Sequence, residues 1–166
     1  PEHPVVFAKY ANTVIGSGDN IVLPKVTDQV DYEAEFGVVI GTTAKNVSEA
    51  DALKYVGGYL PVNDVSARDY QMRTSQWTIG KTFDPFAPMG PALTTADEVG
   101  DPHTLDIKLT IGDEVLQSSN TKNLIFRVDY LVSFLSTIMT LLPGDIISTG
   151  TPGGVGSARN PKRWLR

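Results

Sequence analysis

Turn-forming residues recur at short intervals along this chain, at Gly16-Ser17-Gly18-Asp19, Gly57-Gly58, Ile111-Gly112-Asp113 and Pro143-Gly144-Asp145, and most stretches between them are too short for long helices. Glycine reaches backbone angles closed to other residues and aspartate bonds its own backbone, so each cluster marks a chain reversal. A sheet-rich fold follows, mainly β with a few helices. Ile21 to Pro24, Phe36 to Ile40, Tyr59 to Val62, Leu105 to Ile111 and Asp145 to Ser148 read as strands. Leu105, Ile107, Leu109 and Ile111 alternate with polar neighbours, the period of a half-buried strand. Gly112-Asp113 then turns the chain, so Glu114 to Ser119 should pair back as a hairpin.

Two helices are expected. Ser48-Glu49-Ala50-Asp51 has the form of a capping box leading into Ala52 to Val56, with Gly57 as the stop. Asp129 to Leu142 sets Leu131, Phe134, Leu135, Ile138 and Leu142 on one stripe until Pro143 ends the periodicity, so this helix should pack on the sheet. No repeat, low-complexity segment or linker divides the chain. Its 166 residues, 41% hydrophobic, are enough for one domain with a real core.

Charge and composition exclude several functions. A formal charge of -5 gives nucleic acid or an acidic membrane surface nothing to gain, and a small anionic ligand would need a local cation. With no cysteine and two histidines, no thiolate or imidazole zinc site can be assembled. The longest apolar run, around Phe36 to Ile40, is far too short to span a bilayer, and no signal peptide is evident. A soluble, cytoplasmic protein in a reducing compartment is expected. The opening Pro1-Glu2-His3-Pro4 and the closing Arg163-Trp164-Leu165-Arg166 read as interrupted, so residues are expected on both sides of a single domain over 1–166.

The chemistry starts at Asp31-Tyr32-Glu33-Ala34-Glu35, which runs directly into Phe36-Gly37-Val38-Val39-Ile40 as the polar start of a core strand. Period-two geometry puts Asp31, Glu33 and Glu35 on one face, with adjacent Cα atoms roughly 6.5 to 7 Å apart. That spacing lets two carboxylates converge on one ion and repel without it. Asp64 follows an apolar strand, Tyr59-Leu60-Pro61-Val62-Asn63-Asp64, where a solvent-facing tail is not the first expectation. An all-carboxylate set completed by water suits Mg²⁺ or Mn²⁺ better than a calcium cage.

From Asp64 onward the motifs become specific. Asp31-Tyr32-Glu33-Ala34-Glu35, then Asn63-Asp64-Val65-Ser66-Ala67-Arg68-Asp69-Tyr70-Gln71, then Gly80-Lys81-Thr82-Phe83-Asp84 resemble, in order and spacing, the fumarylacetoacetate hydrolase family. Gln117 with Thr121 and Ile125-Phe126, and Pro143-Gly144-Asp145 running on through Thr149 to Gly156, are similar to its later signature. The resemblance implies an α+β fold, a mixed β-sandwich roll, in a homodimer, with Mg²⁺ or Mn²⁺ on Glu33, Glu35 and Asp64 and Asp31 behind them. It implies small 2-keto acids as substrates. Their carboxylate and keto oxygens can chelate such an ion, which acts as a Lewis acid on enolate charge. By the same resemblance Arg68 and Gln71 donate to substrate oxygens and Lys81 is the active-site lysine. Thr151 and the amides from Gly150 to Gly154 could hold the substrate carboxylate, since glycine-rich turns form anion nests.

Other conspicuous residues are read plainly: His103 as a loop residue, Trp77 and Tyr70 as pocket or core aromatics, and Ser66 as no nucleophile, since no histidine lies nearby in sequence. Hydrolytic members of the family carry a His and Glu pair on a lid upstream of the position matching Pro1. Glu2 and His3 do not reproduce its spacing, so the pair is expected on a segment before Pro1. The leading expectation is a hydrolase of acylpyruvates such as fumarylpyruvate, cleaving a carbon-carbon bond. The alternatives are a decarboxylase of oxaloacetate-like acids or an isomerase of unsaturated keto acids on the same site, and a homologue without turnover.

Overall fold

The computed structural model describes residues 1–166. In chain order its strands are β1 (Val14–Ile15), β2 (Val30–Asp31), β3 (Ala34–Ile40), β4 (Val56–Asn63), β5 (Ser66–Ala67), β6 (Ala87–Pro88), β7 (Thr94–Thr95), β8 (Asp106–Ile111), β9 (Glu114–Asn120) and β10 (Ile146–Ser148). The α-helices are α1 (Arg68–Gln71), α2 (Thr78–Lys81), α3 (Ala96–Val99) and α4 (Val128–Ile138). The chain is therefore mainly β with a few helices, an α+β fold. An antiparallel sheet in the order β10-β3-β4-β7 is flanked by the β8–β9 hairpin, the antiparallel pair β2–β5 and the parallel pair β1–β6.

Alternation along β3 divides its neighbours into two layers. Phe36, Val38 and Ile40 point into the main core with Val128, Val132 and Leu135 of α4; of the expected stripe Leu131 and Leu135 are buried, whereas Ile138 and Leu142 are exposed, and Phe36 stacks on Tyr59 of β4 with ring centroids 4.9 Å apart. Each such buried side chain contributes about 1.5–3 kcal/mol. Glu35 lies on the other face. A smaller cluster, Val30, Val65, Ala67 and Phe86, packs under β2 and β5. The acidic run sits between the two cores. No helix is long and apolar enough to cross a membrane.

Several local expectations change. Ile21 to Pro24 makes no ladder; Ile21 and Leu23 instead dock their side chains on the smaller core, where Pro24 would in any case leave a ladder short of a donor. Gly57-Gly58 is not a turn but part of β4, and the Cβ of any other residue at Gly58 would sit 2.4 Å from the Thr94 carbonyl. Close strand approach, not chain reversal, requires that glycine. The segment Glu49–Tyr55 is a 3₁₀ helix, and the Ser48 hydroxyl donates to the Asp51 carboxylate (2.8 Å) rather than capping a backbone amide. Helix α4 stops at Ile138, because Leu141 is drawn into a two-way backbone bridge with Ala44, each bond 2.9 Å.

Candidate metal site

The acidic run is not one continuous strand. Pairing breaks between Asp31 at the end of β2 and Ala34 at the start of β3, and Asp31 stays outside the carboxylate group, separated from Glu33 by the Arg68 guanidinium that bonds both. Asn63 sets the break: its Oδ1 accepts from the Glu33 amide (3.0 Å), and the Asp64 amide donates to the Glu33 carbonyl (2.9 Å). Glu33, Glu35 and Asp64 are thereby brought together. One carboxylate oxygen from each lies within 4.8 Å of the others, and the residues are only 7%, 5% and 1% exposed.

Cations and donors surround this set unevenly. The Lys81 ammonium, at the end of α2 and itself buried, donates to Glu33 Oε2 (2.8 Å) and Asp64 Oδ2 (2.7 Å). Arg68 Nη2 pairs with Glu33 Oε1 at 2.6 Å. Lys9 Nζ donates to Asp64 Oδ1 at 2.6 Å. Glu35 has no ion pair; its Oε2 accepts from the Ser148 hydroxyl and from the Gly150 amide (3.0 Å), while its Oε1 accepts from no protein group. Burial, with the nearby Asp64 and Glu33 charges, pushes the Glu35 carboxyl up to about 7, against the Ser148 bond. Burial also raises Glu33, opposed by Lys81 and Arg68. Glu35 also lines a cleft of about 300 Å³ with Asn63, Met89, Lys108, Leu109 and the Gly16 to Asp19 turn. Three buried carboxylates, one with an unpartnered oxygen, are a donor set that fits a hard divalent cation. Glu33, Glu35 and Asp64 would hold it.

Around the carboxylates, Arg68 is fixed from behind. Its Nε donates to Asp31 (2.8 Å) and its Nη1 to Gln71 Oε1 (2.9 Å), while the Gln71 amide nitrogen has no protein partner. Asp31, fully buried, also accepts from the amides of Tyr32, Gly156 and Ser157, at 2.9, 2.7 and 2.9 Å. Gly156 admits no side chain, since a Cβ there would meet the Arg163 carbonyl at 1.8 Å. Gly150 and Thr151 stand beside Glu35, already engaged: the Gly150 amide holds Glu35, and the Thr151 hydroxyl donates to the Ala34 carbonyl (2.9 Å) and accepts from Gln117 Nε2 (2.8 Å).

The remaining sequence candidates have structural partners. His103 is buried in its turn, where Nε2 accepts from the Val128 amide (3.1 Å) at the start of α4. Ser66 is buried and its hydroxyl donates to the Asp64 carbonyl at 2.9 Å. Tyr70 packs edge-on against Phe83, and Trp77 edge-on against Phe7. Lys9 is the residue that sequence reasoning missed. A single lysine within the apolar stretch Val5-Val6-Phe7-Ala8-Lys9 was the available signal.

Known proteins are similar to this chain in sequence and fold. The rat mitochondrial oxaloacetate tautomerase Fahd2a is 46% identical over 167 residues, spanning 100% of this chain and 53% of that protein. A 5-carboxymethyl-2-hydroxymuconate delta-isomerase from Mycobacterium smegmatis superposes with a TM-score of 0.90 at 42% identity, covering 94% of this chain and 61% of that one. For the fumarylacetoacetate hydrolase of the psychrophilic Exiguobacterium antarcticum the TM-score is 0.94 at 38% identity, covering 98% and 58%. The chain spans about half the length of the curated relatives it matches. Residues 1–166 match the description "Fumarylacetoacetate (FAA) hydrolase C-terminal" throughout, and the chain belongs to the fumarylacetoacetate hydrolase family.

Proposed function

We propose that this domain carries a divalent-metal-dependent tautomerase or isomerase of small 2-keto acids of the oxaloacetate type, with Mg²⁺ or Mn²⁺ as the ion. The observation that carries the reading is the Lys81 ammonium set between Glu33 and Asp64, a proton-bearing group at the carboxylates themselves. Tautomerisation asks for little else: a proton leaves the carbon beside the ketone, another reaches the keto oxygen, and no carbon-carbon bond breaks. Lys81 would give a proton from its ammonium to the keto oxygen and, once neutral, take the one leaving carbon, while Arg68 and the free amide of Gln71 would orient substrate oxygens. Bound at Glu33, Glu35 and Asp64, the ion would supply Lewis acidity at the keto oxygen.

The relatives named as an oxaloacetate tautomerase and a muconate isomerase support this reading over the hydrolysis favoured by the motifs alone. Hydrolysis adds a demand, an activated water. Acylpyruvate hydrolysis remains the second reading, supported by the likeness to a fumarylacetoacetate hydrolase.

The test uses the full-length gene product with oxaloacetate, acetylpyruvate and fumarylpyruvate, each in Mg²⁺, Mn²⁺ or EDTA. Accelerated loss of enol absorbance from oxaloacetate, abolished by EDTA, is the expected result. Cleavage of an acylpyruvate without enol turnover would replace this reading with the second. No metal-dependent turnover of any of the three would sink both.

A further inference from the structure

Residues 5 to 10 form no ladder, yet they alternate: Phe7 and Lys9 turn inward while Val6, Ala8 and Tyr10 stay exposed. Both inward residues reach the carboxylate site. The Phe7 ring lies 5.1 Å from the Lys81 ammonium, and Lys9 enters beside Asp64 with 11% of its side chain exposed. The three donors of the Lys9 ammonium have three acceptors: Asp64 Oδ1 at 2.6 Å, the Lys81 carbonyl at 2.7 Å and the Val65 carbonyl at 3.1 Å.

The two lysines at Asp64 therefore differ. Lys81 hydrogen-bonds only carboxylates, so a cation arriving at those oxygens can displace its ammonium. Lys9 is tied to two main-chain carbonyls that cannot follow a moving side chain, so its ammonium is held beside Asp64. A fixed positive charge bonded to one ligand oxygen repels a second cation strongly at interior dielectric. It also offsets the mutual repulsion of the three buried carboxylates, and it adds to the potential that stabilises negative charge on a substrate oxygen.

We propose that Lys9 is a built-in counter-charge: a positioning residue that holds Asp64, keeps divalent-cation affinity below what Glu33, Glu35 and Asp64 alone would give, and increases turnover of the bound keto acid. The inference rests on the assignment of those carboxylates as ligands and, for its turnover part, on the tautomerase reading.

The experiment compares wild type, Lys9→Met and Lys9→Arg as full-length proteins, measuring Mn²⁺ affinity by titration calorimetry, melting in EDTA and in Mn²⁺, and enol turnover of oxaloacetate. Lys9→Met should bind Mn²⁺ at least about tenfold more tightly, melt lower than wild type in EDTA, and lose at least about tenfold in kcat. Tighter metal with slower chemistry is a combination that general loosening of the site would not produce. Lys9→Arg, which keeps the charge, should return both values toward wild type. Unchanged or weaker Mn²⁺ binding by folded Lys9→Met overturns the proposal; if that variant does not fold, Lys9→Gln is judged by the same two values. Should wild type bind Mn²⁺ and turn over no oxaloacetate, the tautomerase reading and the turnover part fail, while the affinity comparison still decides the counter-charge.

Discussion

The Gly150 amide donates to Glu35 Oε2 at 3.0 Å, and Glu35 Oε1, on the same carboxylate, accepts from no protein group. One side of this buried group is thus held by the fold while the other is free to bind. That division makes Glu35 the most informative ligand to change. Glu35→Gln keeps the size and an acceptor oxygen but removes the charge. Mn²⁺ affinity is expected to fall on the order of 100-fold, which is about 2.7 kcal/mol. The metal-free variant should melt no lower than wild type, because an ionised carboxylate no longer has to be buried. Calorimetric titration and a melt in EDTA read the two effects, and lower stability without lost affinity would misplace the ligand.

Stability should depend on pH in the direction set by the same group. The Glu35 carboxyl is raised from 4.5 to about 7 in the folded chain, so between those values the folded protein holds a proton that the unfolded chain has released. Stability of the metal-free protein therefore falls as pH rises through that window. Glu35 contributes up to about 3 kcal/mol to the fall. Urea midpoints in EDTA at about pH 5 and about pH 8 test the sign, and Mn²⁺ should remove much of the difference because protons and metal compete for one group.

Arg68→Lys is expected to be far from conservative. The guanidinium spans Asp31, Glu33 and Gln71 with three different nitrogens, and one ammonium cannot reach all of them. A loss of about 10- to 100-fold in kcat/KM should follow, as for other groups that orient metal ligands. Steady-state kinetics check this, with circular dichroism to confirm the fold.

A control sits on the far side of the core. His103→Ala removes the acceptor for the Val128 amide at the start of α4. Losing such a cap costs about 1 kcal/mol, lowering Tm by about 2–4 °C. Mn²⁺ affinity should be unchanged.

The carboxylates were legible because two constraints met in the sequence: acidic residues at period two, and Asp64 after an apolar strand within a specific motif. Asp31 was placed on their face because periodicity assumes an unbroken strand; the Asn63 side chain, a tertiary contact, breaks it. Gly57-Gly58 fits a turn in the sequence because glycine serves both reversal and close packing, and only the neighbour at Thr94 distinguishes them. Leu142 continues the stripe in the sequence and so extends the expected helix, whereas the bridge from Leu141 to Ala44 that ends α4 depends on a residue far away in sequence. Lys9 left almost no trace, because its approach to Asp64 depends on how an irregular segment is laid across the finished fold.

The segment from Gly150 to Gly156 is moored at both ends to one acidic run, by Gly150 on Glu35 and by Gly156 on Asp31. Its span is therefore a fixed gauge. Among relatives or engineered variants, a substitution between the two moorings leaves both backbone bonds in place. An inserted or deleted residue would instead pull on two carboxylates at once, so diversity here should come by substitution rather than by change of length.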